Sequence, residues 1–356
     1  MLILALAAPL LAQEFQVVQR GPNHSVLQRP GPPGEPPQEI VSLQTGMNYL
    51  ENGVWKESEE VIEIVNNTAV ARKGRHRVIF ASNANTDGCI DIELPDGQRM
   101  RSHAIGLLYQ DSATGASVPL AAIKNSEAAL LPPNRIYYLD AFEGGGLTAH
   151  LYYSYTKAGL EQSVILARAP APPEAYGLSA ESTELCLVSE FLEAPEPVIE
   201  PVVKPDFIDH RIDFGSMAMG PGRAFFTGDA AGKFRGVEVA KEWSAGQKTY
   251  LTEAVRYSSI QPYLRTLPQA QAGIDQPQAK VQSLAEAFPA REAVSEVGSI
   301  QVAAAETIKE GLIIDYALQS SENSFRFSGS TTYLVVGQVV LSGTTIIRRR
   351  YSDSVY

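Results

Sequence analysis

The stretch that predicts the fold class most directly is Leu147-Thr-Ala-His-Leu-Tyr-Tyr-Ser-Tyr-Thr-Lys-Ala-Gly-Leu-Glu-Gln-Ser-Val-Ile-Leu-Ala-Arg168. Its first arm, 147–156, is rich in aromatic and β-branched residues, which is typical of a β-strand. Residues 157–159 supply a short turn that ends in glycine, and residues 160–168 form a second arm. The stretch therefore predicts an antiparallel β-hairpin.

The same period of two residues continues on the N-terminal side of this hairpin. Alternating apolar and polar residues occupy 60–65, 76–81 and 89–94, and Pro95-Asp96-Gly97 supplies a turn after the last of them. We predict a mainly β chain with an antiparallel β-sandwich-like domain over residues 40–265. Prolines punctuate the sequence after Phe191, so a division into two subdomains near residue 200 is the alternative.

The segments outside this domain differ from it in composition. Residues 1–12 are a signal-like apolar segment, and residues 13–39 form a proline-rich stretch that predicts an extended linker. Residues 266–310 are rich in Ala, Gln and Glu and predict a second linker, with room for a short helix around 279–288. Residues 311–356 regain strand character and predict the first strands of a β-helix.

Composition and charge limit the classes of partner. The 356 residues include 44% hydrophobic and 19% charged side chains, with a net charge of −11. Nucleic-acid binding requires a basic surface, so we expect no nucleic-acid partner. The N-terminal apolar run is shorter than the roughly 20 residues of a membrane helix, so we expect no integral membrane span. We predict a secreted or cell-surface protein, although no Lys or Arg precedes the apolar run; an apolar N-terminus without a targeting role is the alternative.

The chain has two cysteines, Cys89 and Cys186, both in strand-like surroundings. In an exported protein they could form a disulfide, but the sequence does not show that they lie close together. We favour two buried free thiols.

One loop resembles a calcium-binding pattern. Asn83, Asn85, Asp87 and Asp91 offer side-chain oxygens around Gly88, which stands at the position where such loops need glycine. The twelfth position is Leu rather than Glu, and the flanking segments predict strands rather than helices. A polar turn between two strands is the alternative explanation. Calcium is the one cofactor that the sequence indicates.

Candidate catalytic residues have less support from the sequence than the calcium-like loop. Asp91 and Glu93 face the same side of a predicted strand, where two carboxylates could act on a glycosidic bond, or could simply face solvent. The five histidines are scattered, without metal-ligand spacing. We therefore assign no catalytic residue. Tyrosines that could stack on sugar rings are Tyr137, Tyr138, Tyr152 and Tyr153, of which alternation should bury about half.

The order of several segments resembles an uncharacterised N-terminal module of large secreted bacterial surface proteins. The resemblance is carried by Gly46-Met-Asn-Tyr-Leu-Glu-Asn-Gly-Val-Trp-Lys-Glu-Ser58, Arg75-His-Arg-Val-Ile-Phe-Ala81, Pro95-Asp-Gly-Gln-Arg-Met-Arg-Ser-His103 and Asp213-Phe-Gly-Ser-Met-Ala-Met-Gly220. Such modules precede a parallel β-helix or RHS-type repeats. The resemblance implies a non-enzymatic structural or presentation role, with no catalytic residues to carry over.

The C-terminal stretch 327–347 is similar to the beginning of such a β-helix, and it is followed by Arg348-Arg349-Arg350. We therefore predict a fragment of a longer surface protein, with an authentic end as the alternative. The expected partners are its own downstream repeat region or components of the cell surface. The rival hypothesis is a carbohydrate-binding or carbohydrate-active extracellular protein, whose partner would be a glycan.

Overall fold

A computed structural model describes residues 14–205, 207–226, 236–270, 277–294, 298 and 300–303, together with three C-terminal strands within 312–350 for which the backbone alone is described. The protein is mainly β, as predicted, with antiparallel sheets in a sandwich-like arrangement. The strands are β1 (Gln16–Gly21), β2 (His24–Arg29), β3 (Gln38–Gln44), β4 (Asn48–Glu51), β5 (Val54–Glu57), β6 (Glu63–Val65), β7 (Thr68–Ala71), β8 (Arg77–Phe80), β9 (Ile90–Glu93), β10 (Arg99–Asp111), β11 (Ala116–Ile123), β12 (Ala128–Leu131), β13 (Arg135–Tyr138), β14 (Phe142–Glu143), β15 (Thr148–Tyr155), β16 (Gly159–Arg168), β17 (Thr183–Glu193), β18 (Val198–Val203), β19 (Ile208–Asp213), β20 (Met217–Met219), β21 (Gly222–Phe226), β22 (Val237–Ala245), β23 (Thr249–Arg256), β24 (Lys280–Val281), β25 (Gln301–Val302), β26 (Leu312–Ser320), β27 (Leu334–Val339) and β28 (Thr345–Arg350). The helices are α1 (Tyr257–Leu264), α2 (Leu284–Ala287) and a 3₁₀ turn at Pro173–Tyr176.

The chain forms two compact units. The smaller unit comprises residues 1–58 with 323–356, and the larger unit comprises residues 59–322. These boundaries differ from the division that the sequence predicted. In the part of the chain that the structure describes, no helix is long and apolar enough to cross a membrane.

The smaller unit contains strands where the sequence predicted a linker. Strands β1 and β2 form a hairpin within residues 13–39, and β3 pairs antiparallel with β2. The densest prolines lie between β2 and β3, so they form a connection and leave the strands free. The buried side chain of Asn48 donates to the carbonyl oxygens of Gly21 and His24, at 2.8 and 2.9 Å, and thereby ties β4 to the β1–β2 turn.

The C-terminal strands do not confirm the predicted β-helix. Strand β27 pairs in parallel with β3 but antiparallel with β28, whereas successive rungs of a parallel β-helix pair in parallel. Strand β26, which belongs to the predicted C-terminal segment 311–356, pairs with β16 inside the larger unit. The residues of that segment other than β26, β27 and β28 lie outside the described residues, as does the signal-like segment 1–12.

The larger unit is built from two sheets. Sheet I has the order β6–β7–β8–β9–β10–β17–β23–β22, and β11 pairs with β10 beyond the end of β9, with β14 and β24 at its outer edge. Sheet II has the order β25–β12–β13–β15–β16–β26–β20–β19–β18, and β21 pairs with β26 and β22. Neighbouring strands of both sheets are antiparallel except β12 and β25.

Strand β22 belongs to both sheets. Its first residues pair with β21 of sheet II, and its later residues pair with β23 of sheet I. At this crossing Lys241 of β22 is fully buried and donates from Nζ to both carboxylate oxygens of Asp209 on β19, at 2.8 and 2.9 Å. The same carboxylate accepts from the Lys241 backbone N–H at 2.9 Å. The ion pair therefore links the two sheets where the shared strand crosses.

The hydrophobic core of the larger unit contains side chains from both sheets. The ring of Phe80 from sheet I lies 6.0 Å from that of Tyr153 in sheet II, measured between centroids. The hydroxyl of Tyr138 in sheet II donates to the carbonyl of Ala81 at 2.7 Å, next to sheet I. Each fully buried aromatic side chain contributes roughly 1.5–3 kcal/mol through removal of apolar surface from water.

The predicted hairpin of residues 147–168 is present as β15 and β16 in sheet II. Alternation places Tyr153 and Tyr155 in the core, each at most 1% exposed, and leaves Tyr152 half-buried on the other face.

A covering segment, residues 280–291, lies on the face of sheet I away from the core, within the stretch predicted as a linker. Its side chains Ala287 and Phe288 join a second, smaller apolar cluster with Ile105 of β10. Helix α2 lies inside the predicted helical range 279–288 and begins with a capping box of Ser283 and Glu286. The segment therefore folds against the domain rather than linking it to another.

Candidate functional site

The covering segment and sheet I enclose a cleft of about 580 Å³. Strands β10, β11 and β17 form its floor, and residues 287–291 form one wall. The apolar residues Ile105, Leu120 and Phe288 line one part of the cleft. The ionisable side chains that line it are Asp87, His103, Glu143, Glu190, Lys248 and Arg291. This volume lies within the range typical of small-molecule sites.

Strand register positions the two central polar side chains. His103 of β10 lies directly opposite Glu190 of β17 in the antiparallel pair. The β10–β17 register shifts between Ala104 and Gly106, so Ile105 is an extra residue in β10. A bulge of this kind redirects the side chains around it, and here His103 and Ile105 both line the cleft.

His103 is a buried imidazole that presents one N–H to the cleft. Its Nδ1 accepts a hydrogen bond from the backbone N–H of Gly88 at 3.2 Å, so the neutral ring carries its proton on Nε2. Burial is the main cause that lowers the pKa of His103 to about 3, and the charge of Arg291 is the next. The ring is therefore neutral at physiological pH, and Nε2–H is a donor.

This donor lies between two carboxylates but reaches neither. Nε2 is 3.8 Å from Oε2 of Glu190 and 3.9 Å from Oδ1 of Asp87, beyond hydrogen-bond distance. His103 is 2% exposed. Within the described part of the chain, no acceptor lies within hydrogen-bond distance of Nε2–H, so this donor is open to a ligand atom or to water in the cleft.

Both carboxylates beside His103 are held by cations. Lys248 Nζ donates to Oε1 and Oε2 of Glu190 at 2.9 and 3.1 Å, and this hydrogen bond raises the pKa of Lys248. Arg291 donates to Asp87 Oδ1 at 3.0 Å and also to Asn85 Oδ1. The rim of the cleft therefore alternates between positive and negative groups.

The structure separates the four residues of the predicted calcium loop. Asn83 Oδ1 accepts from the backbone N–H of Asn85 at 2.9 Å, as in an Asx turn. Asn85 and Asp87 meet around the guanidinium of Arg291, while Asp91 lies on β9 and accepts from Arg99 Nε at 2.7 Å. A cation bound between Asn85 and Asp87 would have to displace Arg291, so calcium binding stays a prediction of the sequence pattern. Across the described residues, no group of three or more His, Cys, Asp or Glu side chains is arranged to hold a metal ion.

The other side chains considered from the sequence lie away from the cleft. Neither Asp91 nor Glu93 lines it; Glu93 is exposed and lies 3.6 Å from Arg77. The expectation of a tyrosine surface for sugar stacking is wrong for three of the four residues, since Tyr137, Tyr138 and Tyr153 are at most 2% exposed. Alternation places two of them, Tyr138 and Tyr153, in the core. Tyr137 lies outside that core and is covered by the rings of His150 and the half-buried Tyr152.

Cys89 and Cys186 are buried, and no disulfide joins them. This agrees with the favoured sequence prediction. Burial raises the pKa of the Cys186 thiol well above its usual value, which keeps the sulfur protonated and unreactive.

Sequence reasoning noted His103 among scattered histidines but missed Glu190, Lys248 and Arg291. These residues come from segments far apart in the chain, and only strand register and the covering segment bring them together. Comparison of the chain with family models, with curated proteins and with solved structures finds no match.

Proposed function

We propose that this chain is a secreted, non-enzymatic binding module whose cleft takes a carbohydrate. The observation that carries the proposal is the Nε2–H of His103, which opens into the cleft and lies 3.8 and 3.9 Å from the carboxylates of Glu190 and Asp87 without a hydrogen bond to either.

The chemistry around this donor favours a hydroxyl group. A ligand atom placed near Nε2 must accept a hydrogen bond from the imidazole while lying close to two negatively charged groups. A carboxylate or phosphate can accept from Nε2–H but, when ionised, has no proton to donate to Asp87 or Glu190. A hydroxyl accepts from Nε2–H and donates its own proton to one of the carboxylates, so it satisfies both requirements.

The rest of the cleft suits a ligand with several hydroxyls. Lys248 and Arg291 supply further donors, and Asp87 and Glu190 supply acceptors, in the paired arrangement that vicinal hydroxyls can bridge. The ring of Phe288 offers an apolar wall for the C–H face of a sugar. Carbohydrates combine these two kinds of surface in one molecule.

The arrangement favours binding over glycoside hydrolysis. Hydrolysis of a glycosidic bond requires a carboxylic acid that donates a proton to the leaving oxygen. Asp87 and Glu190 instead each accept hydrogen bonds from a cation. We assign them the role of positioning hydroxyl groups.

A presentation role in a larger surface protein is compatible with this binding activity. It is supported by the sequence resemblance of residues 40–347 to N-terminal modules of secreted bacterial surface proteins and by the apolar run at 1–12. We propose that the module, located outside the cell, carries the binding cleft for such a protein. Detection of the tagged chain in the culture medium of an expressing bacterium, compared with a variant that lacks residues 1–12, tests the location.

Isothermal titration calorimetry against a panel of purified oligosaccharides tests the binding proposal. We expect at least one to bind, and Lys248→Ala to weaken that binding about tenfold because it removes a charged donor and frees Glu190. The matched control is Lys204→Ala, which removes an ion pair with Glu238 outside the cleft. The proposal fails if no oligosaccharide binds, or if both variants bind like the wild type. Release of reducing sugars from a bound oligosaccharide would contradict a non-enzymatic role.

A further inference from the structure

We propose that the sugar bound in the cleft carries a free amino group, which pairs as an ammonium with the carboxylate of Glu143. This inference rests on the proposed carbohydrate binding and names the class of sugar.

Glu143 lies on the far side of the cleft from His103. It pairs with Ala122 of β11, and Ala122 in turn pairs with Gly106 of β10, so Glu143 is two strands away from the strand that carries His103. Two strand spacings and three residues along β10 place the Cα atoms of His103 and Glu143 about 14 Å apart. The two positions therefore contact different parts of one extended ligand.

The charges that line the cleft do not balance. Arg291 pairs with Asp87, and Lys248 pairs with Glu190. Glu143 is exposed and has no ion pair or hydrogen bond with any residue that the structure describes. Since the imidazole of His103 is neutral, one negative charge in the cleft stays without a counter-charge.

A cationic group on the ligand would supply that counter-charge. The His103 side chain is 2% exposed, and its Nε2–H opens into the cleft without an acceptor among the described residues. This donor independently indicates that the cleft takes a ligand, and it defines the hydroxyl end of that ligand. Among carbohydrates, the class proposed for this cleft, a molecule with hydroxyls at one end and an amine at the other end is an amino sugar or a short oligomer of amino sugars. An ammonium hydrogen-bonded to a carboxylate is a charge-assisted contact of the stronger kind.

The test compares two ligands that differ in this group alone. Calorimetry at about pH 6, where a primary amine is protonated, measures the binding of glucosamine oligomers and of the N-acetylated oligomers of equal length. We expect the free-amine form to bind the wild type about tenfold more tightly. Acetylation removes the positive charge and leaves the hydroxyls in place.

The variant Glu143→Gln should lose this preference, so that both oligomers bind with the affinity of the acetylated form. Glu181→Gln is the matched control, because it removes an exposed carboxylate away from the cleft and lowers the net negative charge equally. Equal affinities of the two oligomers for the wild type would overturn the inference and leave carbohydrate binding intact. A preference that survives in Glu143→Gln, or that disappears equally in Glu181→Gln, would also overturn it. If neither oligomer binds while other sugars do, the inferred amino group is refuted and carbohydrate binding stands. If no sugar binds, the proposed function is refuted as well.

Discussion

Replacement of Lys241 by methionine should strongly destabilise the larger unit. The lysine side chain is completely buried, and its ammonium is bound by the carboxylate of Asp209, which is 5% exposed. Methionine has a similar length and apolar stem, so the change removes the positive charge with little change in packing. It leaves Asp209 in the interior with the backbone N–H of residue 241 as its one remaining contact from that strand.

The cost follows from the loss of one partner of a buried ion pair, about 3–5 kcal/mol. The remaining backbone hydrogen bond to Asp209 argues for the lower end, near 3 kcal/mol. For a unit of this size that corresponds to a decrease in Tm of roughly 6–12 °C. The matched control is Lys204→Met: its ion pair with Glu238 has the same N–O distance, 2.8 Å, but the two side chains are 25% and 41% exposed. We expect that control to lose about 0–1 kcal/mol.

Urea unfolding measures both variants. Trp243 packs against Phe191 and Phe214 in the larger unit and reports on its unfolding, and Trp55 is replaced by phenylalanine to remove the other tryptophan signal. Adding Asp209→Asn to Lys241→Met should restore much of the lost stability, because the side chain at position 209 then carries no charge. The reasoning is refuted if Lys241→Met and Lys204→Met lie within about 1 kcal/mol of each other.

Three further predictions concern the core and the floor of the cleft. Gly106→Ala should lower the free energy of unfolding, measured with urea, by about 1–3 kcal/mol, because an added Cβ would lie 2.6 Å from a carbonyl oxygen of the neighbouring strand. The control is Gly220→Ala, where an added Cβ meets nothing within 4 Å. It should change the free energy of unfolding by less than about 0.5 kcal/mol. Cys89 and Cys186 should not react with Ellman's reagent in the native protein, and two thiols per chain should react in denaturant; rapid reaction of the native protein would contradict their burial. Burial lowers the pKa of His76 to about 4, so the unfolded chain, with an ordinary pKa near 6.5, binds a proton there that the folded chain does not. As the pH decreases from 6.5 to 4, His76 should therefore lower the free energy of unfolding by about 1.4 kcal/mol per pH unit, in addition to a loss of the same sign from His103. His76→Phe should reduce this slope of unfolding free energy against pH, and an unchanged slope would assign the effect to other groups.

The parts of the fold that could be predicted are those encoded locally. The hairpin of β15 and β16 was predictable because both arms and their turn lie within 22 consecutive residues and show the period of a strand. The hairpin of β1 and β2 was not, because the prolines that follow β2 dominate the composition of residues 13–39. Composition describes the whole window, whereas the prolines affect only the connection between strands.

The candidate site was hidden for a different reason. His103 and Glu190 become neighbours through the register of β10 and β17, which is set by packing and by the bulge at Ile105. Arg291 reaches the cleft from a segment whose sequence has little periodicity and whose position depends on contacts such as that of Phe288 with sheet I. No local pattern in the sequence encodes such pairings, so a single sequence can reveal the residue types without their arrangement.

The strand that belongs to both sheets has a consequence for dividing the protein. A cut between Val239 and Ala240 would separate the part of β22 that pairs with β21 from the part that pairs with β23. Each fragment would then expose an unpaired strand edge. Asp209 would be in one fragment and Lys241 in the other, so the buried ion pair would also be lost. Deletion or split-reporter designs should therefore keep residues 208–256 intact, since sheets I and II share their structure there and cannot be produced as separate pieces.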